Sequence, residues 1–135
     1  MVSSTRSAPP SVNVRVIDDQ HARLIENIER LEQALVAGEG ASALAEVIGR
    51  VKEYAARHCP AEETLMESFG DPLRDLHAIE HRKFFIRLDE MERIAAQGHP
   101  VAALQMLSRL RAWLESHIQD WDAKLGTFLN SRGVT

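Results

Sequence analysis

The sequence predicts an all-α fold: an antiparallel up-down-up-down four-helix bundle with an N-terminal extended arm. Apolar residues recur at alternating steps of three and four along four long segments, the spacing of an inward-facing helix seam. Glycine and proline mark the junctions between these segments, and the junctions are short. Short connections make consecutive helices antiparallel neighbours, so the pattern predicts one bundle.

Two segments come before the first helix. Residues 1–11 are rich in serine and proline, which predicts a flexible N-terminal tail. Polar and apolar residues alternate over Val12 to Val16, which predicts the extended arm. We therefore expect a tail over residues 1–11 and a four-helix bundle domain over residues 12–135.

Capping and breaking residues predict where each helix begins and ends. Aspartate and serine are favourable N-caps, proline suits the first helical position, and glycine commonly follows a helix end. The predicted helices run from Asp18 or Asp19 to about Ala37, from Ser42 to about Phe69, from Asp71-Pro72 to about Gln97, and from His99-Pro100 to about Leu129.

Length and charge limit the function classes. The 135 residues suffice for one domain, and 16 Lys+Arg against 20 Asp+Glu give a net charge of −4. A nucleic-acid-binding face would be basic, and no apolar run approaches the roughly 20 residues of a membrane span. We therefore expect no nucleic-acid or membrane partner. The single cysteine excludes an internal disulfide framework and indicates a reducing, cytoplasmic compartment.

Polar residues interrupt all four seams at core-facing positions. One buried histidine or glutamate is usually a satisfied core group, but six on four helices call for a shared explanation. A metal site supplies one, because a cation offsets the burial of a carboxylate and binds neutral imidazole. The six residues are His21, His58, Glu62, His77, His81 and His117.

The spacing of these residues narrows the kind of site. His58 and Glu62 are four residues apart, as are His77 and His81, so each pair shares a helix face. Imidazole with carboxylate suits iron, zinc, copper or manganese better than calcium or magnesium. No glutamate stands three residues before a histidine, which argues against a ferritin-like di-iron site.

Four motifs in order resemble the hemerythrin family, and within it the single-domain bacteriohemerythrins. The resemblance covers about Val12 to Leu129. The motifs are Asp18-Asp19-Gln20-His21, His58-x-x-x-Glu62-Glu63-x-Leu65-Met66, His77-x-x-x-His81-x-x-Phe84 and Trp113-Leu114-x-x-His117-Ile118-x-x-x-Asp122.

The resemblance implies a non-haem di-iron centre (Fe²⁺/Fe³⁺) with an oxo or hydroxo bridge. One iron would take His77, His81 and His117, the other His21 and His58, and the carboxylates of Glu62 and Asp122 would bridge both. The two-histidine iron would keep an open position for dioxygen. An apolar ligand pocket beside it is implied at Leu24, Cys59, Trp113, Leu114 and Ile118.

The implied function is reversible dioxygen binding for carriage, storage or delivery, with no catalytic residue. Two alternatives stay open: a sensor of oxygen, redox state or nitric oxide that acts on an unknown protein partner, and a di-iron enzyme acting on peroxide or nitric oxide. Spacing alone also leaves zinc or manganese open. We expect a monomer or a weak homo-oligomer.

Two positions depart from the family pattern. Cys59 stands where the family usually has phenylalanine, and Leu125 where it often has tyrosine. The smaller Cys59 leaves room near the open iron or puts a thiol beside an oxidant, although a free cysteine is usually a small buried hydrophobe. We expect faster autoxidation as a result.

The fourth helix contains a conflict in register. His117 and Asp122 are five residues apart, so a regular α-helix would hold them roughly 140° apart. Leu125 and Leu129 nevertheless continue the seam of Asp122, which predicts one extra residue in a π-bulge between His117 and Asp122. The alternative is that Trp121 keeps the seam and Asp122 is a surface residue.

Three further residues carry smaller predictions. Pro60 lacks an amide proton and is expected to bend the second helix, either as a tolerated kink or as an aid to aiming His58 and Glu62. His99 is expected to be a surface or capping residue and not a ligand. Glu63 is expected to be solvated or to support a ligand from outside.

Overall fold

The structure is a computed structural model that describes residues 9–135. Residues 1–8, and with them most of the predicted tail, lie outside the described residues. The described chain is all-α and contains no strand. The elements are α1 (Arg15–Val36), α2 (Ala41–Phe69), α3 (Arg74–Ala96), α4 (Pro100–His117), a π-helical segment (Ile118–Asp122) and α5 (Ala123–Ser131).

The four long helices form the predicted bundle. Helix α1 packs against α2 and α4, and α3 packs against the same two helices. The apolar seams of all four helices meet in one continuous core of buried side chains. None of the helices within residues 9–135 is long and apolar enough to cross a membrane.

The predicted start of α1 is wrong. The helix begins at Arg15 rather than after Asp18, and Val14 is its extended N-cap residue. The Asp18 carboxylate instead accepts hydrogen bonds from the Val12 amide (2.9 Å) and the Ser11 hydroxyl (2.6 Å). Aspartate therefore fastens the preceding arm to the helix, and the non-helical arm ends at Val14.

The starts of α2 and α3 also differ from the prediction. Helix α2 begins at Ala41, so Ser42 lies inside it rather than at its cap. Asp71 does not start α3 at once: its carboxylate accepts the Leu73 amide (2.9 Å) in a short turn, and α3 begins at Arg74. The start of α4 at Pro100 is as predicted.

Helix ends follow the glycine signals. Helix α2 ends at Phe69, and Gly70 adopts the left-handed conformation with φ of 72°, as expected. Gly98 does the same after α3, with φ of 82°. Pro60 lies within α2, which continues past it to Phe69.

The arm is packed rather than free. Val12 and Val14 are buried against the core. The Asn130 side chain donates hydrogen bonds to the backbone carbonyls of Asn13 (2.9 Å) and Val134 (2.7 Å). The chain before α1 and the chain after α5 are therefore joined at one end of the bundle.

Candidate metal centre

Seven polar side chains from all four helices and the π-helical segment converge inside the bundle. They are the seven residues that the sequence motifs single out, and each side chain is at most 6 % exposed: His21, His58, Glu62, His77, His81, His117 and Asp122. Their roles as metal ligands stay a prediction.

Three histidines face one side of the two carboxylates. Nε2 of His77 lies 3.2 Å and Nε2 of His81 3.0 Å from Oε1 of Glu62. Nε2 of His77 and of His117 lie 2.9 and 3.2 Å from Oδ1 of Asp122. Potential ligand atoms from these five residues all lie within 4.8 Å of one another. We call this group the three-histidine half.

The other two histidines face the remaining carboxylate oxygens. Nε2 of His21 lies 2.8 Å from Oδ2 of Asp122 and 3.4 Å from Oε2 of Glu62. Nε2 of His58 lies 3.0 Å from the same oxygen of Glu62. Potential ligand atoms of these four residues also lie within 4.8 Å of one another. This group is the two-histidine half, and each carboxylate gives one oxygen to each half.

The hydrogen-bonding state of these atoms fits metal ions. Nine buried side-chain nitrogen and oxygen atoms in the described chain have no hydrogen-bond partner, and eight of them belong to His21, Glu62, His77, His117 and Asp122. Nε2 of His21, of His77 and of His117 lies 2.8–3.4 Å from a carboxylate oxygen without making a hydrogen bond, whereas Nε2 of His81 does hydrogen-bond to Oε1 of Glu62 at 3.0 Å. Buried polar atoms are rarely left unpaired, and imidazole nitrogens and carboxylate oxygens are metal-ligand atoms, so this set of unpaired atoms fits metal ions.

Two side chains hold histidines of the cluster from outside. Nδ1 of His81 donates to Oε2 of Glu63 at 2.8 Å, and Nδ1 of His58 donates to Oε1 of Gln20 at 2.8 Å. Each bond fixes the ring so that the Nε2 lone pair points inward. Glu63 is therefore a hydrogen-bond partner of His81, one of its two predicted roles. Gln20 was part of a recognised motif, but its role was not predicted.

The histidines and carboxylates of the cluster shift each other's pKa values toward their charged forms. Burial, the largest influence, lowers the pKa of His21, but short contacts to Asp122 and Glu62 outweigh it and raise this pKa to about 9. The balance is the same for His77, whose pKa rises to about 9. Burial raises the pKa of Glu62, yet the charge of His58 and the contacts to the histidines hold it well below its usual range. The cluster thus favours positive charge between ionised carboxylates.

The π-helix that positions Asp122 confirms the predicted bulge. The segment Ile118–Asp122 follows α4 directly, and Asp122 is fully buried at its end. The wider turn brings Asp122 to the same side as His117, five residues earlier. Leu125 and Leu129 remain buried after it, so the seam continues as the sequence indicated. Trp121 is half-buried and lies with its ring centroid 5.7 Å from that of His77.

The predicted pocket residues are mostly buried. Leu24, Leu114 and Ile118 belong to the apolar core, and Trp113 packs against it. The Trp113 ring stacks on the His117 imidazole with centroids 5.0 Å apart and an angle of 18° between planes. Cys59 is also buried. Which of these side chains line a ligand pocket stays a prediction.

Two remaining predictions concern Cys59 and His99. Cys59 is buried, and burial raises the pKa of its thiol, which keeps it protonated. His99 is exposed before α4 and lies outside both halves of the cluster, as expected. Five of the six histidines are therefore in the cluster.

Comparison with known proteins identifies the family. The model described as hemerythrin HHE cation binding domain matches residues 12–129. The chain belongs to the hemerythrin family. Among curated relatives, the bacteriohemerythrin of Pseudomonas aeruginosa (strain LESB58) is 35 % identical over 113 residues, covering 84 % of this chain and 72 % of the relative. The bacteriohemerythrin of Stenotrophomonas maltophilia (strain R551-3) is 34 % identical over 112 residues, covering 83 % and 72 %.

Family membership agrees with the chemistry of the cluster. The matched family model is described as a cation binding domain, and the only groups of His, Asp and Glu side chains within residues 9–135 that could hold a metal ion are the two halves of this cluster. Five imidazoles and two carboxylates suit a pair of transition-metal ions. The His/Glu/Asp cluster of this hemerythrin is thus suited to a di-iron site.

Proposed function

We propose that this hemerythrin is a non-haem di-iron protein that binds dioxygen reversibly, for carriage, storage or delivery. The observation that supports this most is the unequal division of donors around two shared carboxylates. The three-histidine half offers five protein donors and the two-histidine half offers four. An ion in the second half would have a free coordination position for a small ligand.

Each residue of the cluster has a distinct part in this proposal. His77, His81 and His117 would hold one ion, and His21 and His58 the other, while Glu62 and Asp122 would join them. Iron, when bound, supplies the redox change and the open coordination that dioxygen binding requires. Two Fe²⁺ ions would bring four positive charges, and the two carboxylates would reduce this net charge. An apolar interior tolerates the smaller charge better.

The apolar surroundings of the cluster would protect it from water. Leu24 follows His21 by one turn of α1, and Ile118 follows His117 directly; both are buried in the apolar core. We propose that Leu24, Cys59, Trp113, Leu114 and Ile118 form the wall of the ligand pocket. Excluding water from this space would slow the oxidation of the iron to the inactive diferric form.

An optical experiment tests the proposed function. The chain is loaded with Fe²⁺ without oxygen, iron is counted per chain, and spectra are recorded before air, in air and after renewed deoxygenation. We expect about two irons per chain and a visible band that appears in air and is lost on deoxygenation. His99→Ala, at an exposed histidine outside the cluster, serves as the control and should behave like the unchanged protein.

The same measurements separate the alternatives. A band that does not reverse, with steady consumption of peroxide or nitric oxide, would contradict oxygen carriage and favour a di-iron enzyme. One ion per chain, or zinc or manganese bound in preference to iron, would contradict the di-iron assignment. A cytoplasmic location, a monomeric or weakly associated state, and the division into residues 1–11 and 12–135 are part of the same proposal.

A further inference from the structure

The two halves of the cluster are supported from outside by acceptors of different charge. Glu63 accepts from Nδ1 of His81 in the three-histidine half, and Gln20 accepts from Nδ1 of His58 in the two-histidine half. Both hydrogen bonds are 2.8 Å long, so the two contacts do not differ in length. They differ in chemistry, because one acceptor is a carboxylate and the other a neutral amide.

Both supporting residues reach across to the neighbouring helix. Glu63 follows Glu62 on α2 but bonds to a histidine of α3, and Gln20 precedes His21 on α1 but bonds to a histidine of α2. Each supporting residue thus locks the angle of an imidazole on the next helix. Both side chains are half-buried, a setting in which a charge is less screened than at the surface.

The charge of the acceptor changes the histidine as a ligand. A carboxylate that accepts from Nδ1–H draws the proton toward itself and makes Nε2 a stronger electron donor. A neutral amide orients the ring in the same way with a smaller effect on basicity. The three-histidine half therefore has both the additional donor and the charged support.

We propose that Glu63 and Gln20 are positioning residues that make the two metal positions unequal, so that the three-histidine half binds its ion more tightly and fills first. This inference rests on the proposed function, because it requires two metal positions in the cluster. The ion with the weaker histidine donors would therefore lie in the two-histidine half, which has the free coordination position.

Calorimetric titration of the metal-free protein with Co²⁺, which avoids oxidation during the experiment, tests the inference. The unchanged protein should take up two Co²⁺ in two steps of different affinity. Glu63→Gln should weaken the tighter step about 10- to 100-fold and leave the weaker step in place. Gln20→Glu should strengthen the weaker step. The double variant Glu63→Gln/Gln20→Glu should reduce or reverse the difference in affinity between the two steps.

A variant that keeps only one metal position shows which half of the cluster gives each binding step. His58→Ala removes a ligand of the two-histidine half alone, so it should abolish the weaker step; Glu63→Gln should then weaken the step that remains. Glu53→Gln, at an exposed position on the same helix, is the matched control and should change neither step. Thermal unfolding of each metal-free variant checks the fold. Gln20→Glu adds affinity, a change that damage to the fold would not produce.

The outcomes distinguish this inference from the proposed function. Equal weakening of both steps by Glu63→Gln, or no effect of either exchange in a protein that binds two Co²⁺, would overturn the inference alone. Unequal steps that respond as expected, in an iron-loaded protein without reversible dioxygen binding, would uphold the inference and overturn the proposed function. An unchanged protein that binds neither Co²⁺ nor Fe²⁺ would overturn both.

Discussion

At the scale of single residues, Glu62 connects the two halves of the cluster. One of its oxygens faces His77 and His81, and the other faces His21 and His58. Among residues 9–135, Asp122 is the one other residue that both halves share. Loss of Glu62 should therefore affect both metal positions, whereas loss of one histidine should affect mainly its own half.

Replacing Glu62 tests this difference. Glu62→Gln removes the shared negative charge, and we expect iron to fall from about two per chain to near zero. His58→Ala should leave about one iron per chain, in the three-histidine half. Iron counted after anaerobic loading and desalting gives the answer, with Glu53→Gln as the surface control. Retention of one iron by Glu62→Gln would contradict a bridging role.

The charges of the cluster also predict how the stability of the metal-free protein depends on pH. The pKa of His21 and of His77 rises from 6.5 to about 9, so the stability they contribute is complete below pH 6.5 and lost as pH rises toward 9. The pKa values of Glu62 and Asp122 are lowered, so their contribution is complete above their ordinary values of 4.5 and 3.8 and lost at lower pH.

Urea unfolding of the metal-free protein across this pH range measures the effect. We expect the free energy of unfolding to be greatest between pH 4.5 and 6.5 and to fall on both sides. Iron loading should remove the fall above pH 6.5, because metal holds the imidazoles in their neutral form. A metal-free stability that rises from pH 6.5 to 9 would contradict the raised histidine pKa values.

Cys59 carries a prediction about the lifetime of the oxygenated protein. Its buried thiol stays protonated, which makes it a small apolar side chain rather than a nucleophile. Cys59→Phe puts the larger apolar side chain that the family usually has next to His58 and should slow the loss of the reversible spectrum in air, while Cys59→Ala should not slow it. Autoxidation followed by absorbance compares the two, and equal rates for all three proteins would contradict a role for size.

The sequence predicted the cluster residue by residue but not all of its contacts. Periodicity reveals which side chains face inward, so the five histidines of the cluster and Glu62 were recognisable from phase alone, whereas Asp122 was implied by the resemblance to the hemerythrin family. It does not reveal how far a half-buried side chain reaches onto the next helix. The Gln20–His58 bond depends on the packing of α1 against α2, and a single helix pattern contains no information about that packing.

At the scale of elements, the same distinction explains which boundaries were predictable. The π-helix was predictable because His117 and Asp122 belong to one seam only if an extra residue separates them. The start of α1 was not, because Asp18 has good N-cap chemistry but bonds instead to Val12 and Ser11 of the arm. Local propensity predicts Asp18 as an N-cap, but in the folded protein the same side chain bonds to the arm instead.

Deleting one residue tests the register argument for the π-helix. Removing exposed Gln119 makes His117 and Asp122 four apart, so a regular α-helix would keep both facing inward. We expect cooperative thermal unfolding close to that of the unchanged protein. Removing exposed Ser108 from regular α4 should instead turn His117 and the following seam by about 100° and abolish cooperative unfolding. Thermal unfolding is measured by circular dichroism. If both deletions destabilised the protein equally, the register argument would be contradicted.

At the scale of the whole molecule, charged contacts tie the helices together around the core. Arg111 on α4 reaches Glu29 (3.0 Å) and Glu32 (2.6 Å) on α1. Lys52 on α2 reaches Asp89 (3.1 Å) and Glu92 (2.7 Å) on α3. The bundle itself followed from the seams and short connections, but these ion pairs did not, because a charged side chain beside a seam has many possible partners on the neighbouring helix.

The arm also packs against the bundle through uncharged groups: Gly126 of α5 lies against the backbone of Val12. A methyl group at Gly126 would meet the Val12 carbonyl, a backbone group that cannot simply rotate away. Gly126→Ala should push the arm off the core, expose Val12 and Val14, and destabilise the protein by about 1–3 kcal/mol, as overpacking does elsewhere.

Gly49 provides the matched control, since it is an exposed helical glycine with open space at its Cβ position. Gly49→Ala should stabilise the protein by about 0.5–1 kcal/mol, because alanine loses less backbone entropy in a helix. Urea unfolding of the two variants should therefore shift in opposite directions. If Gly126→Ala were as stable as Gly49→Ala, the arm would make no stabilising contact with α5, and the joining of the two chain ends would not contribute to the fold.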